Sequence, residues 1–125
     1  MSVNNRGKKI LLVDDDQALR TVLAEQLDLY DGFTTIQVGT AAEGLEKAKL
    51  AHYDAILLDI GLPDMDGYEV KARLDVDPLT RHVPVLALTA AVSAPDRARG
   101  RAAGFDAWLA KPLDLAALAA ALNTA

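Results

Sequence analysis

Five short strand-like runs, each followed by a helix-like pattern, constrain this chain more than any other feature of it. The strand candidates are Lys9–Asp14, Thr34–Val38, Asp54–Asp59, Val83–Thr89 and Asp106–Ala110. The first, third and fourth are continuous apolar runs, as expected of parallel strands covered on both faces. The second and fifth carry a weaker signal. Leu19, Val22, Leu23 and Leu27 recur with the helical period and predict one amphipathic helix, and Leu115, Leu118, Ala119 and Leu122 predict another. Thr40 and Glu43 have the spacing of a capping box, which opens a helix over Ala41–Ala51. A further helix is expected over Met65–Leu74. Pro95–Ala103 is the poorest helix, with Gly100 inside it and no large apolar residue to hold it to a core.

Strands separated by crossovers of this length pair in parallel, so the expected class is α/β, a doubly wound five-stranded parallel sheet. Right-handed crossovers leave few topologies. The flavodoxin-like (βα)5 order 2-1-3-4-5 is the simplest for five units, adopted here as the general pattern of such sheets. A length of 125 residues suits one domain. Residues 1–7 are expected to form a disordered tail and residues 8–125 the domain.

Composition narrows the function. The formal charge is −5, from 13 basic and 18 acidic residues, which argues against direct nucleic-acid binding. With no cysteine, disulfides and thiol chemistry are absent and a cytoplasmic location is expected. The most apolar segment, Leu113 to Leu122, is short and interrupted by Asp114, so no membrane partner is expected. His52 and His82 stand near loops without metal-ligand spacing.

In an open α/β sheet, ligands bind beyond the carboxyl ends of the strands. The first strand ends in Asp14-Asp15-Asp16, the third in Asp59 and the fourth in Thr89, and the fifth is followed by Lys111-Pro112. Parallel strands bring these residues to one edge. Two carboxylates about 4 Å apart repel by roughly 4 kcal/mol at an effective dielectric near 20. A proton or a cation must relieve that repulsion. Hard oxygen donors favour Mg²⁺, Mn²⁺ or Ca²⁺ over zinc, and few protein ligands favour Mg²⁺. With a metal, the Lys111 ammonium and the Thr89 hydroxyl can surround the oxygens of a transferring phosphoryl group, and a neighbouring carboxylate can be its nucleophile. Singly, each residue has a plainer explanation: Asp16 as a helix N-cap, Thr89 as a strand former, Lys111 as a surface lysine. Their joint placement at four strand ends favours the chemical one.

These residues also carry a resemblance. The chain resembles the receiver domains of bacterial two-component response regulators from about Lys8 to Leu122. The matching pieces are Ile10-Leu11-Leu12-Val13-Asp14-Asp15, then Leu57 through Gly67 with its Pro63-Asp64-Met65-Asp66-Gly67, then Pro84 through Ala90, and last Trp108-Leu109-Ala110-Lys111-Pro112. The resemblance implies that Asp59 is the phosphoacceptor. It implies that Asp15 and Asp59 ligate Mg²⁺ (or Mn²⁺) directly, with Asp14 acting through water and the Gly61 carbonyl completing the set. It implies that Thr89 and Lys111 contact the phosphoryl oxygens, and that the Lys111-Pro112 bond is often cis. The expected donor is a histidine kinase or a histidine phosphotransfer protein. The expected recipient of the signal is a downstream protein partner or a covalently linked output domain, reached through the α4-β5-α5 surface.

Three positions depart from the family's habit. Gly61 and Ala91 are small where larger residues often tune phosphate lifetime, and Trp108 stands where a switch Tyr or Phe is usual. Other functions fit less well. A hydrolase of the haloacid dehalogenase type wants a second Asp where Gly61 stands. A flavodoxin-like flavin site wants a Ser/Thr/Gly phosphate loop, and Asp14-Asp15-Asp16 would repel the phosphate. A receiver reduced to a scaffold would not need every motif residue.

Overall fold

The computed structural model describes residues 8–90 and 93–124. The expected tail over residues 1–7 and the position of Ala91 lie outside them. The elements run β1 (Lys9–Val13), α1 (Gln17–Asp31), β2 (Thr34–Val38), α2 (Ala41–Leu50), β3 (Ala55–Asp59), α3 (Gly67–Val76), β4 (Val85–Thr89), α4 (Ala94–Ala102), β5 (Ala107–Ala110) and α5 (Leu115–Thr124). All strand pairs are parallel, in the order β2-β1-β3-β4-β5. The expected doubly wound (βα)5 fold is therefore the observed one.

Alternation along the strands builds a core on each face of the sheet. Leu11, Val13, Ile56, Leu58, Val85 and Ala87 face α2 and α3. Ile10, Leu12, Leu57, Leu86 and Leu88 face the other way and meet Leu23 and Leu27 of α1 and Leu118 and Leu122 of α5. Central β3 and β4 are buried throughout, whereas the outer strands β2 and β5 are partly exposed. This explains why the outer two are the weaker strands in sequence: an edge strand needs less apolar surface.

Several expectations change. Val22, placed on the buried stripe of α1, is 51% exposed; Leu23 and Leu27 carry that face. Helix α3 starts at Gly67 rather than Met65, because the Asp66 side chain caps it by accepting from the Tyr68 N–H, and it runs on to Val76. Thr40 does cap α2 by accepting from the Glu43 N–H, but the Glu43 carboxylate accepts from the Thr40 hydroxyl. The full reciprocal capping box lies at Ser93 and Asp96, at the start of α4. Helix α4 is also better held than its composition suggests. Gly100 is buried against the Trp108 indole, and the Arg99 guanidinium lies 3.8 Å from the centre of the Tyr68 ring. His52 and His82 are exposed but not isolated, with ring centres 6.4 Å apart.

Candidate phosphoacceptor site

The parallel register sets the site. Val13 is level with Leu58, Asp59 with Leu88, and Thr89 with Ala110. Strands β1, β3, β4 and β5 thus deliver Asp14, Asp59, Thr89 and Lys111 to one edge. One carboxylate oxygen from each of Asp14, Asp15 and Asp59 lies within 4.8 Å of the others. Three hard donors converging in this way fit a divalent cation such as Mg²⁺.

Asp14 is fully buried and its polar groups are taken up. Its N–H donates to the Val38 carbonyl at 3.2 Å, where the ladder with β2 continues for one residue. Its Oδ1 accepts from the Asp16 N–H at 2.9 Å and its Oδ2 from the Lys111 ammonium at 2.9 Å. Asp15, by contrast, is exposed. Asp16 caps α1 by accepting from the Leu19 N–H, as its place in the sequence predicts.

Asp59 is buried at the end of β3. Its Oδ1 accepts from the Gly61 N–H at 2.9 Å and its Oδ2 lies 3.3 Å from Lys111 Nζ. Burial raises its carboxyl above the ordinary aspartate range. The Gly61 N–H pulls it back, the Asp14 charge pushes it up, and Lys111 pulls it down, leaving it raised. Lys111 is a compromise of the same kind. Burial pulls its ammonium down, but the Asp14 hydrogen bond and the Asp59 and Asp14 charges outweigh this and leave it raised. A single ammonium therefore bridges two carboxylates, and Asp15 beside them has no ion pair among the described residues. Thr89 is buried at the end of β4, and its carbonyl accepts from the Lys111 N–H at 2.9 Å. The Lys111-Pro112 peptide is cis.

Gly61 is not glycine for want of room. A Cβ there would meet only Asp59 Oδ1, at 3.7 Å. Trp108 is half-buried, with its ring against Tyr68 and Phe105 at 6.1 and 5.7 Å between centres. It is level with Ala87, and alternation puts Thr89 on the same face of the sheet as that pair.

Two residues that sequence reasoning passed over brace this edge. Arg20 of α1 donates to the Asp14 carbonyl at 2.8 Å. Asp64, exposed in the loop after β3, accepts from the N–H groups of Ala41 and Ala42 at the start of α2, and these two donors hold its carboxyl below the usual range. Asp64 lies more than twenty residues from its donors, so no local pattern announces the pair. Arg20 follows the Asp triplet by one helical turn, which is a signal a sequence can carry.

The sequence matches the family profile described as "Response regulator receiver domain" over residues 10–123. The chain therefore belongs to the response-regulator receiver family, which serves two-component signalling. The polar-differentiation response regulator DivK of Brucella ovis is 36% identical over 108 residues, covering 86% of this chain and 87% of the relative. The chemotaxis response regulator CheY4 of Vibrio cholerae superposes with a TM-score of 0.86 at 29% identity, covering 94% of this chain and 97% of that one. The receiver domain of the sensor histidine kinase PA1611 from Pseudomonas aeruginosa, solved with a magnesium ion in its active-site cleft, gives 0.85 at 35% identity, covering 94% and 96%.

Proposed function

We propose that this chain is a phosphoacceptor module of a two-component phosphorelay, taking a phosphoryl group onto Asp59. The observation that carries the reading is the Asp59 carboxylate, buried at a strand end between the Lys111 ammonium and two further carboxylates. A carboxylate oxygen attacks phosphorus as the phosphorus–nitrogen bond of a phosphohistidine breaks. The electron pair leaves with the imidazole, which takes a proton. The donor is a histidine kinase or a histidine phosphotransfer protein.

Asp15 and Asp59 would hold Mg²⁺, with Mn²⁺ as the alternative, helped by the Gly61 carbonyl. Asp14, whose carboxylate oxygens are already engaged, would support the ion indirectly. When bound, the cation supplies positive charge to the carboxylates and to the incoming phosphoryl oxygens. Lys111 and Thr89 contribute an ammonium and a hydroxyl to those oxygens. The domain turns over no substrate of its own; it carries a signal.

The output reading assigns the switch to the α4-β5-α5 surface, with Thr89 and Trp108 as its moving parts. Its support is the placement of Thr89 and Trp108 on one sheet face, and the packing of Trp108 against Gly100 of α4. Arg97 and Arg101 share one side of α4 and suit an acidic downstream protein or a linked output domain. Nucleic acid and membrane are not proposed as direct partners, and a cytoplasmic setting fits the reading.

The test is incubation with acetyl phosphate followed by intact mass. The chain should gain one phosphoryl group with Mg²⁺ and none with EDTA. Labelling of Asp59→Asn at the wild-type rate would overturn the assignment.

A further inference from the structure

We propose that Arg20 is a positioning residue that aims Asp15 into the metal site through the peptide joining Asp14 to Asp15. The inference rests on the reading of Asp15 as a ligand of the divalent ion. Strand β1 ends at Val13 and its ladder with β2 reaches only as far as the Asp14 N–H, so the next peptide unit, Asp14 to Asp15, has no ladder bond to fix it among the described residues. The Asp14 carbonyl belongs to the peptide unit that begins Asp15. That unit is planar, so holding its oxygen also fixes the Asp15 N–H and the position of the Asp15 Cα from which the side chain starts. The holder is a side chain, Arg20 Nη1, at 2.8 Å. The other polar groups of Asp14 are fixed by Val38, Asp16 and Lys111. Asp15 is exposed, and among the described residues no hydrogen bond holds its carboxylate. Its aim is therefore inherited from the backbone that Arg20 fixes.

Arg20 is itself placed by a glycine. The guanidinium lies against Gly39 in the loop between β2 and α2. A Cβ at that position would sit 3.0 Å from Nη1, 3.7 Å from Cζ and 3.9 Å from Nη2. A methyl group at Gly39 would displace the guanidinium by a few tenths of an ångström, and its nearest atom is the Nη1 that donates to the Asp14 carbonyl. Two residues on different elements thus bear on one peptide unit.

Coulomb attraction and positioning predict opposite signs, which makes the inference decidable. Arg20 is a positive charge beside an acidic pocket. If charge were its only influence, removing it would tighten binding of a divalent cation. If it aims Asp15, removing it weakens binding. Residues that orient metal ligands typically change affinity by about 10- to 100-fold when lost.

The experiment is calorimetric titration of Mg²⁺ into the full chain, metal-free at the start, with circular dichroism to establish folding. Arg20→Met should weaken Mg²⁺ binding about tenfold. Arg20→Lys, which can still donate to the carbonyl, should recover part of the loss. Gly39→Ala should weaken binding by a smaller factor with Arg20 intact, and it carries the test should Arg20→Met fail to fold. Arg73→Met removes an arginine that pairs with Glu69 on the exposed side of α3, and should leave the affinity unchanged. Wild-type or tighter binding in a folded Arg20→Met or Gly39→Ala variant overturns the inference. Failure of the wild type to bind Mg²⁺ overturns instead the metal reading on which it rests.

Discussion

Gly100→Ala should destabilise the domain, although helix propensity predicts the reverse. Gly100 lies inside α4, where alanine is worth about 1 kcal/mol more than glycine. Any favourable effect of that kind meets the Trp108 indole. A Cβ at Gly100 would lie 2.3 Å from Cε3, 2.5 Å from Cζ3 and 3.0 Å from Cδ2. Ordinary carbon contacts fall at about 3.5–4.0 Å, so the nearest atoms would overlap by roughly 1 Å. The indole is rigid and has Tyr68 and Phe105 beside it. Either the ring or α4 must move, and overpacking of this kind costs about 1–3 kcal/mol. Set against the propensity gain, the net loss is about 1 kcal/mol, near 4 °C in Tm for a domain of this size.

A double-mutant cycle separates the two effects. In a Trp108→Leu background the ring is gone, and Gly100→Ala should stabilise by about 1 kcal/mol. The sign reversal corresponds to a coupling of about 2 kcal/mol between positions 100 and 108. The assay is thermal and urea unfolding of the four proteins, with Trp emission recorded for the two that retain the indole. Stabilisation by Gly100→Ala in the wild-type background, with unchanged emission, would refute the packing argument. It would also remove the reason to expect α4 to follow the indole.

Two further predictions follow from the site. The raised Asp59 carboxyl means that the folded state binds more protons than the unfolded chain just above the ordinary aspartate value, so metal-free stability falls as pH rises through that window. Asp59→Asn should flatten this part of the profile and stabilise the metal-free domain at neutral pH, as urea titrations from pH 4 to 7 in EDTA would show; a variant no more stable than wild type would contradict it. Trp108 emission should shift when beryllofluoride is added after Mg²⁺ and stay fixed in Asp59→Asn, whereas unchanged emission with beryllofluoride bound would make Trp108 a static core residue.

The sequence reveals this fold where one residue's environment is set by its neighbours in the chain. Continuous runs such as Ile56-Leu57-Leu58 report burial on both faces, and the four strand ends report the site. The strand order follows the general habit of five-unit doubly wound sheets and is written in no particular residue of this chain. What stayed hidden is long-range. Asp64 caps a helix that begins more than twenty residues earlier. Helix α4 looked loose because its anchor is a missing side chain at Gly100 and a ring on α3 facing Arg99. Apolar periodicity registers neither. Val22 misled because it continues the spacing of Leu19 and Leu23 while lying beyond the edge of the covered stripe.

The site's charge balance bears on which edge of the sheet transmits a signal. Asp14, Asp15 and Asp59 against Lys111 leave a formal charge of −2 when all are ionised, three negative and one positive. A divalent cation cancels it. Phosphorylation of Asp59 would then restore negative charge, on oxygens that call for Lys111 and Thr89. Lys111 is held 2.9 Å from Asp14, so serving a phosphoryl group means sharing or leaving that contact. Of the two edge strands, β2 brings none of the charged groups to the site, whereas β5 leads straight into Lys111 and carries Trp108 three residues earlier. Strand β5 is half-buried, unlike β3 and β4, so shifting it disturbs less of the core. Its backbone is already tied to β4 by the Lys111 N–H on the Thr89 carbonyl. Under the proposed function, the mechanical consequences of phosphorylation would run out along β5 to the indole, and from the indole to Gly100 and the arginines of α4.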